Sequence, residues 1–407
     1  MDLEPIQQDP VLQAKLEAAA TKAIEKAFQE LEGSDVSQII EARLARPSDE
    51  PEIRKLFDRY PMRMPGFDLI YDRSPDFFSL LRARGSASVA LTGGLKGSPE
   101  LMGLGSLSVR DGFINGRRTR VAYLGDLRVI PHRKTFRLWR SMYSRLIEEV
   151  ARDVGVESFL TAILGDNQVA LRSLVERRTS DFRYESIGQM RMINLFGAFA
   201  PASLVGLQKP TGYRGEIVSD DEFSAFYEKE AANLRYGFVT PPGSGRAILV
   251  RDEKGRVLLA ARLLTPDREK RMRVANMNMK MRLLLKSVGL AQGASLSTGY
   301  LSNVTFSSQS SPVERRLAMA ELVSTCYRER ELSGFLKSRS MLVVPDSVGL
   351  SVRELGGRFH QTTSVELFEV TSKTAADFAQ VTSQFGAGPG LSNATSIQNV
   401  AFEMALV

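Results

Sequence analysis

Cysteine and histidine are nearly missing from this 407-residue chain. It has one cysteine, Cys326, and two histidines, His132 and His360, far apart in sequence. One thiol cannot close an internal disulfide, and nothing in the cysteine usage points to an oxidising compartment. A histidine-rich metal site or a serine–histidine–aspartate hydrolase needs partners at defined spacings, and neither histidine has them. No metal site is therefore expected. No run of about 18 apolar residues occurs, so no membrane-spanning helix is expected. The start, Met1-Asp2-Leu3-Glu4-Pro5, is acidic and lacks the apolar segment of a secretory signal. Walker, HExxH and strand-following GxGxxG patterns are missing too, which removes several enzyme classes. The expectation left by these absences is a cytoplasmic protein.

What is present is ordinary globular composition, 43% hydrophobic and 25% charged, in a chain long enough for two domains or more. The net charge is +7. Such a balance suits an anionic partner, whether nucleic acid, acidic lipid or a phosphorylated small molecule, and equally suits a plain basic surface.

Apolar spacing predicts a helix over residues 10–31, opened by Asp9-Pro10 and repeating Leu12, Leu16, Ala19, Ala23 and Phe28. A lone amphipathic helix ahead of a domain packs on that domain or on a partner subunit. A strand at 40–45 and a helix to about Tyr60 follow, then a linker-like stretch to about Pro75. Strands are predicted near 88–92, 101–109 and 119–129, the last two joined by a turn between Asp111-Gly112 and Asn115-Gly116. A helix over 136–153, a strand at 158–164, a helix from Asn167 to about Arg177 and a strand at 190–196 complete a mixed α/β order.

The second half repeats that order, with a strand at 213–218, a helix at 221–234 and a hairpin around Glu253-Lys254-Gly255. Tyr123-Leu124-Gly125-Asp126-Leu127-Arg128-Val129 returns as Tyr300-Leu301-Ser302-Asn303-Val304-Thr305-Phe306, 177 positions later (300 minus 123). Helices follow both, at 136–153 and 313–332, then strands at 158–164 and 339–344, then short helices near Asn167 and Ser347. A near-constant offset implies duplication of one domain.

The stretch Tyr123 to Pro131, with Gly165-Asp166-Asn167-Gln168-Val169-Ala170-Leu171, resembles the GNAT acyltransferase family: its fourth strand, the entry to its coenzyme A loop, and its later Asn-x-x-Ala helix start. Residues 41–60 resemble that family's first strand and helix. The resemblance implies a mixed-sheet α/β fold in two tandem GNAT-like domains: an N-terminal helical extension (1–38), domain 1 (39–200), a degenerate domain 2 (201–380) and a tail (381–407). It implies acetyl-CoA or another acyl-CoA as cofactor, the fourth strand splaying from the fifth, and pyrophosphate at a glycine-rich loop and helix N-terminus. Here that loop aligns with Lys134-Thr135-Phe136-Arg137-Leu138-Trp139, with Arg137 and Trp139 where glycines belong. The second half's Ser307-Ser308-Gln309-Ser310-Ser311 lacks glycine as well. The family's general-acid tyrosine falls near Leu174.

Asp126 is the expected proton acceptor, or else a structural carboxylate pairing Arg128 or Arg120. Val129, Arg133, Lys134, Thr135, Arg137, Arg140 and Asn167 are the expected cofactor-binding residues. Arg133, Arg137 and Arg140 share a helix face, with Arg128 and Arg145 nearby, and either bind phosphate or form a solvated, salt-bridged face with Glu148 and Glu149. Cations in a first helical turn oppose the macrodipole, and an anion there would relieve that. Asn167 either touches cofactor or N-caps its helix. His132 is a loop histidine. Arg133-x-x-x-Arg137 also resembles the arginine pair of cyclic-dinucleotide receptors such as PilZ domains, which gives a second expectation: a non-catalytic receptor or scaffold for a phosphorylated ligand, with a protein partner or homodimer. Residues 262–286 interleave Arg268, Lys270, Arg271, Arg273, Lys280 and Arg282 with methionines. Without aromatics to stack bases, base-specific nucleic-acid reading is not expected, and an exposed hairpin and helix is the plain alternative. The tail, glycine-rich at Gly386, Gly388 and Gly390, is read as an arm ending in an added strand from about Val400.

Overall fold

A computed structural model describes residues 7–64, 66–73, 76–130, 133–175, 182–196, 212–239, 245–266, 270–287, 291–328, 341–351, 354–355, 360–372 and 400–401. Asp9 opens helix α1 (Pro10–Glu30) by accepting from the amides of Val11 and Leu12 at 3.0 Å each, while Pro10 has no amide to satisfy. Next come α2 (Asp35–Ile39), β1 (Ile40–Leu44), α3 (Glu50–Arg59), β2 (Met62–Met64), β3 (Phe67–Asp72) and α4 (Phe77–Arg84). A meander of β4 (Ala87–Leu95), β5 (Leu101–Ile114) and β6 (Arg117–Val129) turns at Asn115-Gly116, both at the positive φ that a two-residue hairpin turn requires. Helix α5 (Arg133–Val154), β7 (Ser158–Leu164), α6 (Gln168–Ala170) with a wider turn at Leu171–Val175, and β8 (Phe182–Phe196) end the first half. The second half holds β9 (Tyr213–Val218), α7 (Asp220–Ala231), β10 (Tyr236–Phe238), β11 (Arg246–Asp252), β12 (Val257–Leu264), β13 (Arg271–Met277), α8 (Met279–Ser287) and β14 (Ser295–Leu296). It finishes with β15 (Thr298–Phe306), α9 (Pro312–Arg328), β16 (Met341–Asp346), β17 (His360–Ser372) and β18 (Val400–Ala401).

The fold is mixed α/β, a tandem GNAT-like arrangement with an N-terminal helix. One 14-stranded sheet runs β1-β4-β5-β6-β7-β17-β8-β16-β15-β12-β11-β9, with β10 and β18 beside β5. It reads alike from either end. The series β1, β4, β5, β6, β7 is matched by β9, β11, β12, β15, β16, with β6·β7 and β15·β16 the parallel pairs. At the centre the halves trade strands. The first half's β8 pairs with β16, the second half's β17 pairs with β7, and β8 and β17 pair with each other from Phe182↔Ser372 to Leu195↔His360. A smaller sheet, β14-β13-β3-β2, also joins the halves through β3 and β13.

Opposite faces of the first half's sheet are covered by different helices. Val89, Leu91, Leu107 and Val109 pack under α5 and α1, whereas Ala90, Leu101 and Leu104 meet Ile53, Phe57, Phe77 and Leu81 of α3 and α4. Helix α1 thus packs on its own domain. Lys26 donates to the buried Glu149 of α5 at 2.6 Å, and Arg145 of α5 pairs with Glu30. A third core, containing both Tyr123 and Tyr300, lies between the halves.

Several expectations need correction. The stretch before Pro75 is not a linker, because it carries β2 and β3. Helix α4 and strand β17 were not expected at all. Helix α5 begins at Arg133, so residues 134–139 are its first turns and not a loop. Trp139 is a core residue there, 3% exposed, and fits because Gly103 leaves room: a Cβ on Gly103 would lie 2.0 Å from the indole nitrogen. At Ser347 the described residues 347–351 form no helix. The loop residue His132, the side chains of Arg133 and Lys134, the helix ends at Arg177 and Leu332, the strand start at Arg339 and the tail glycines lie outside the described residues. Val400 and Ala401 do add a strand, parallel to β10.

Candidate functional site

The repeated central strands share an unusual backbone feature. Asp126 on β6 and Asn303 on β15 have φ of 55° and 51°, a left-handed conformation that short polar side chains tolerate best. Each lies in a β-bulge at the same point of its repeat. In β5·β6 the register jumps from Ser106↔Gly125 to Leu104↔Arg128, leaving Asp126 and Leu127 out of the ladder. In β12·β15 it jumps from Arg262↔Ser302 to Ala260↔Thr305, leaving out Asn303 and Val304.

On the far side of each bulged strand the sheet splits. β6 pairs with β7 only from Val121↔Ser158 to Tyr123↔Leu160, and β15 with β16 only from Thr298↔Met341 to Tyr300↔Val343. Beyond Tyr123 the Thr161 hydroxyl donates to the Leu124 carbonyl at 2.9 Å. The strands then part, as the resemblance implied.

The two splits differ in access. In the first half residues 126–130 are all partly exposed. In the second half Ser302 and Asn303 are fully buried and Thr305 nearly so. The amides between β15 and α9 are also already used. Ser308 N–H donates to Glu230 Oε2 at 2.8 Å, Gln309 N–H to Ser307 Oγ at 3.3 Å, Ser310 N–H to the Ser307 carbonyl at 3.1 Å, and Ser311 N–H to Glu314 Oε2 at 2.7 Å. The Glu230 carboxylate occupies the position of an anion at this turn, and Ser311 with Glu314 forms a capping box. The second half's turn therefore has its amides satisfied by its own chain.

The Asp126 side chain turns away from the part-exposed backbone and is 3% exposed. One oxygen accepts from Arg73, and the other accepts from Arg84 and from Ser106 Oγ at 2.9 Å. Burial alone would raise its pKa, but the guanidiniums of Arg73, Arg84 and Arg128 outweigh that and hold it well below the usual carboxylate range. This is an ion-paired carboxylate, with other arginines than the expected Arg128 or Arg120, and it is a poor proton acceptor near neutral pH.

Aromatic rings enclose the cations. Arg73 lies 5.1 Å from the Phe57 centroid and 5.4 Å from that of Tyr71, Arg128 lies 3.8 Å from Phe57, and Arg84 lies 5.6 Å from Tyr123. From the second half, Lys270 Nζ lies 4.9 Å from Tyr300 and 5.4 Å from Tyr71. Burial, then the charges of Arg73 and Arg84, pushes the Lys270 ammonium well below its ordinary pKa. Burial likewise brings Arg73 down to about 10.

The expected cofactor residues are not one cluster. Val129 ends β6 at the split. Thr135, in the first turn of α5, is fully buried, and its hydroxyl has no partner among the described residues. Arg137 and Arg140 are exposed on α5, Arg145 pairs with Glu30 and Glu148, and Arg128 is drawn into the aromatic cluster. Asn167 caps α6, accepting from the Ala170 amide at 3.1 Å, and Leu174 lies in the wider turn that follows. Lys270, expected in an exposed hairpin, is buried, whereas Lys280 and Arg282 are exposed. Sequence reading missed Arg73, Arg84 and Tyr71 as site residues. Their side chains meet only because β3, α4 and β6 converge. Among the described residues no group of acidic, histidine or cysteine side chains could hold a metal ion, and no helix is long and apolar enough to cross a membrane.

Two repeats of this strand order within one sheet, each split after its bulged strand, define the tandem GNAT fold. No protein-family description matches the sequence, and no curated protein matches it. A solved structure of Saccharomyces cerevisiae N-myristoyltransferase with bound myristoyl-CoA matches with a TM-score of 0.50 at 10% identity, covering 89% of this chain and 84% of that one. A second structure of that enzyme, with myristoyl-CoA and inhibitors, matches with a TM-score of 0.49 at 10% identity over 89% of this chain and 94% of its own. A GCN5-related glucosamine N-acetyltransferase region of a fungal β-N-acetylglucosaminidase gives 0.47 at 11% identity over 81% and 38%. At such identities the likeness is one of fold, and it rests on the first of these structures.

Proposed function

We propose that the chain is an acyl-CoA-dependent N-acyltransferase whose working site is the cleft between β6 and β7, with domain 1 (39–200) active and domain 2 (201–380) structural. The observation that carries this is the difference between the two splits: residues 126–130 are accessible in one repeat, while Glu230 and a serine turn close the other. An open strand edge with backbone groups outside the ladder accepts an extended, amide-bearing arm by strand addition. The residues at hand suit coenzyme A in part. The edge through Val129 fits the arm, and the orphaned Thr135 hydroxyl lies in the helix turn that follows. Arg133, Lys134, Arg137 and Arg140 of α5 would hold phosphates by charge in place of glycine amides. Acyl-CoA supplies an activated thioester. The chain supplies orientation, and N–H groups at the Asp126 bulge where charge develops on the carbonyl oxygen. Asp126 is not the base in this reading. Its carboxylate anchors the arginines beneath the bulge.

Thermal shift on the full chain with acetyl-CoA, longer acyl-CoAs and cyclic dinucleotides tests the proposal, because a bound ligand raises the melting temperature by mass action. Stabilisation by an acyl-CoA, followed by acyl transfer to an amine detected by mass spectrometry, supports it. Stabilisation by a cyclic dinucleotide alone would replace it with the receptor reading.

A further inference from the structure

We infer that Arg73 and Arg128, with Arg84 behind them, form a binding site for an oxyanion, a carboxylate or phosphate group, directly beneath the Asp126 bulge. Arg73 is 3% exposed, and among the described residues its Nε and Nη1 atoms have no hydrogen-bond partner. The Nε of Arg128 is also buried without one. Asp126 acts on both arginines, yet its two oxygens are already engaged by Arg73, Arg84 and Ser106. The orphaned donors belong to Arg73 and Arg128, and buried donors of this kind cost stability unless something else accepts from them. The walls around them are the rings of Phe57, Phe77 and Tyr71. An apolar enclosure with convergent charged donors is how a small anionic group is desolvated and held. The planar guanidinium fork matches the two oxygens of a carboxylate or phosphate.

The location indicates whose oxyanion it is. Residues 126–130 are partly exposed beside the split between β6 and β7, while the side chains of Asp126, Arg73 and Arg84 are buried. A group held there sits next to the position of the reacting carbonyl. On the acyl-transfer reading, the acceptor therefore carries a carboxylate or phosphate close to its amine. That assignment to the acceptor rests on the proposed function. The anion site itself does not.

The test uses the full chain without acyl-CoA. Sodium acetate and inorganic phosphate are titrated against sodium chloride at matched ionic strength, and the melting temperature is followed. A saturable rise above the chloride baseline is expected with at least one of the two. A response to acetate alone assigns the site to carboxylates, and to phosphate alone, to phosphate esters. In Arg128→Met the apparent affinity should fall at least tenfold, while the ligand-free melting temperature stays equal to or above wild type, because an uncompensated buried charge has been removed. Arg128→Lys, which keeps the charge but loses the fork, should also bind the anion more weakly, and it serves as the second variant should the first not fold. No response of the wild type beyond chloride, or full anion affinity in both variants, overturns the site. Anion binding without any acyl-CoA binding would keep the site and discard the acyltransferase.

Discussion

Replacing Asp126 by asparagine removes one negative charge and little else. Asparagine tolerates the left-handed φ of 55° at that position, as Asn303 does in the second repeat, so the bulge itself survives. What is lost is the partner of two arginines that are 3% and 4% exposed. Breaking a buried ion pair by removing one member costs about 3–5 kcal/mol, because the remaining charge stays desolvated. The interlocked halves form a cooperative unit about twice as large as the 150–250 residues for which each kcal/mol moves the melting temperature by about 2–4 °C, so a fall of about 3–10 °C is expected. Differential scanning calorimetry at pH 7 measures it. The pH profile provides a second check. The folded pKa of Asp126 lies below its unfolded value, so its stabilisation is fully present above the unfolded value of about 3.9 and disappears as pH falls toward the folded one. The difference between wild type and Asp126→Asn should therefore be flat from pH 7 to about 5 and shrink below about 4. A variant melting within 2 °C of wild type at pH 7, or a difference that grows in acid, would refute the claim that this carboxylate anchors the arginines.

Gly103→Ala should cost about 1–3 kcal/mol by overpacking, since its Cβ would lie 2.0 Å from the Trp139 indole nitrogen. Denaturant melts of a cycle with Trp139→Leu should show the two changes compensating, and additivity would contradict the contact. Glu230→Gln should lower stability by about 1–2 kcal/mol through its weakened bond from the Ser308 amide, yet leave acyl-CoA stabilisation intact. Loss of that response would move the cofactor site to the second half. Residues 1–200 and 201–407 expressed as separate chains should co-elute as a one-to-one complex in size-exclusion chromatography. Each alone should aggregate, because β7 and β16 would lose the neighbours that cover their edges. A stable monomer of either fragment would contradict this.

Much of the fold was legible in the linear pattern, and some of it was not. The strands at 158–164 and 213–218 match β7 and β9 residue for residue, because compact β-branched and aromatic runs are bounded by turn residues. The 177-residue repeat was visible because Tyr123 and Tyr300 both anchor the core between the halves. Strand β17 was missed because its buried residues, among them Val365, Leu367 and Val370, alternate with Gln, Thr, Ser and Glu and look like surface. Strands β2 and β3 hid among Pro and Asp residues that read as a linker. Helix α5 starts three residues before its apolar pattern does, and no glycine marks its start, since the glycine that makes room for Trp139 is Gly103 on β5. Asp126 was singled out by its strand. Its true surroundings could not be, since Arg73 precedes α4 and Arg84 ends it while Lys270 comes from the other half, with no shared motif.

The exchange of β8 and β17 is the arrangement that a twofold dimer of one half would build, and here a single chain builds it. In a dimer of identical subunits every substitution appears at both sites, so neither site can change alone. Joined in one chain, the two copies mutate independently. One keeps an aspartate at its bulge and an accessible edge, and the other carries an asparagine there and closes its turn with Glu230. Fusion thus lets the two copies diverge at their bulges while the traded strands keep each paired to the other.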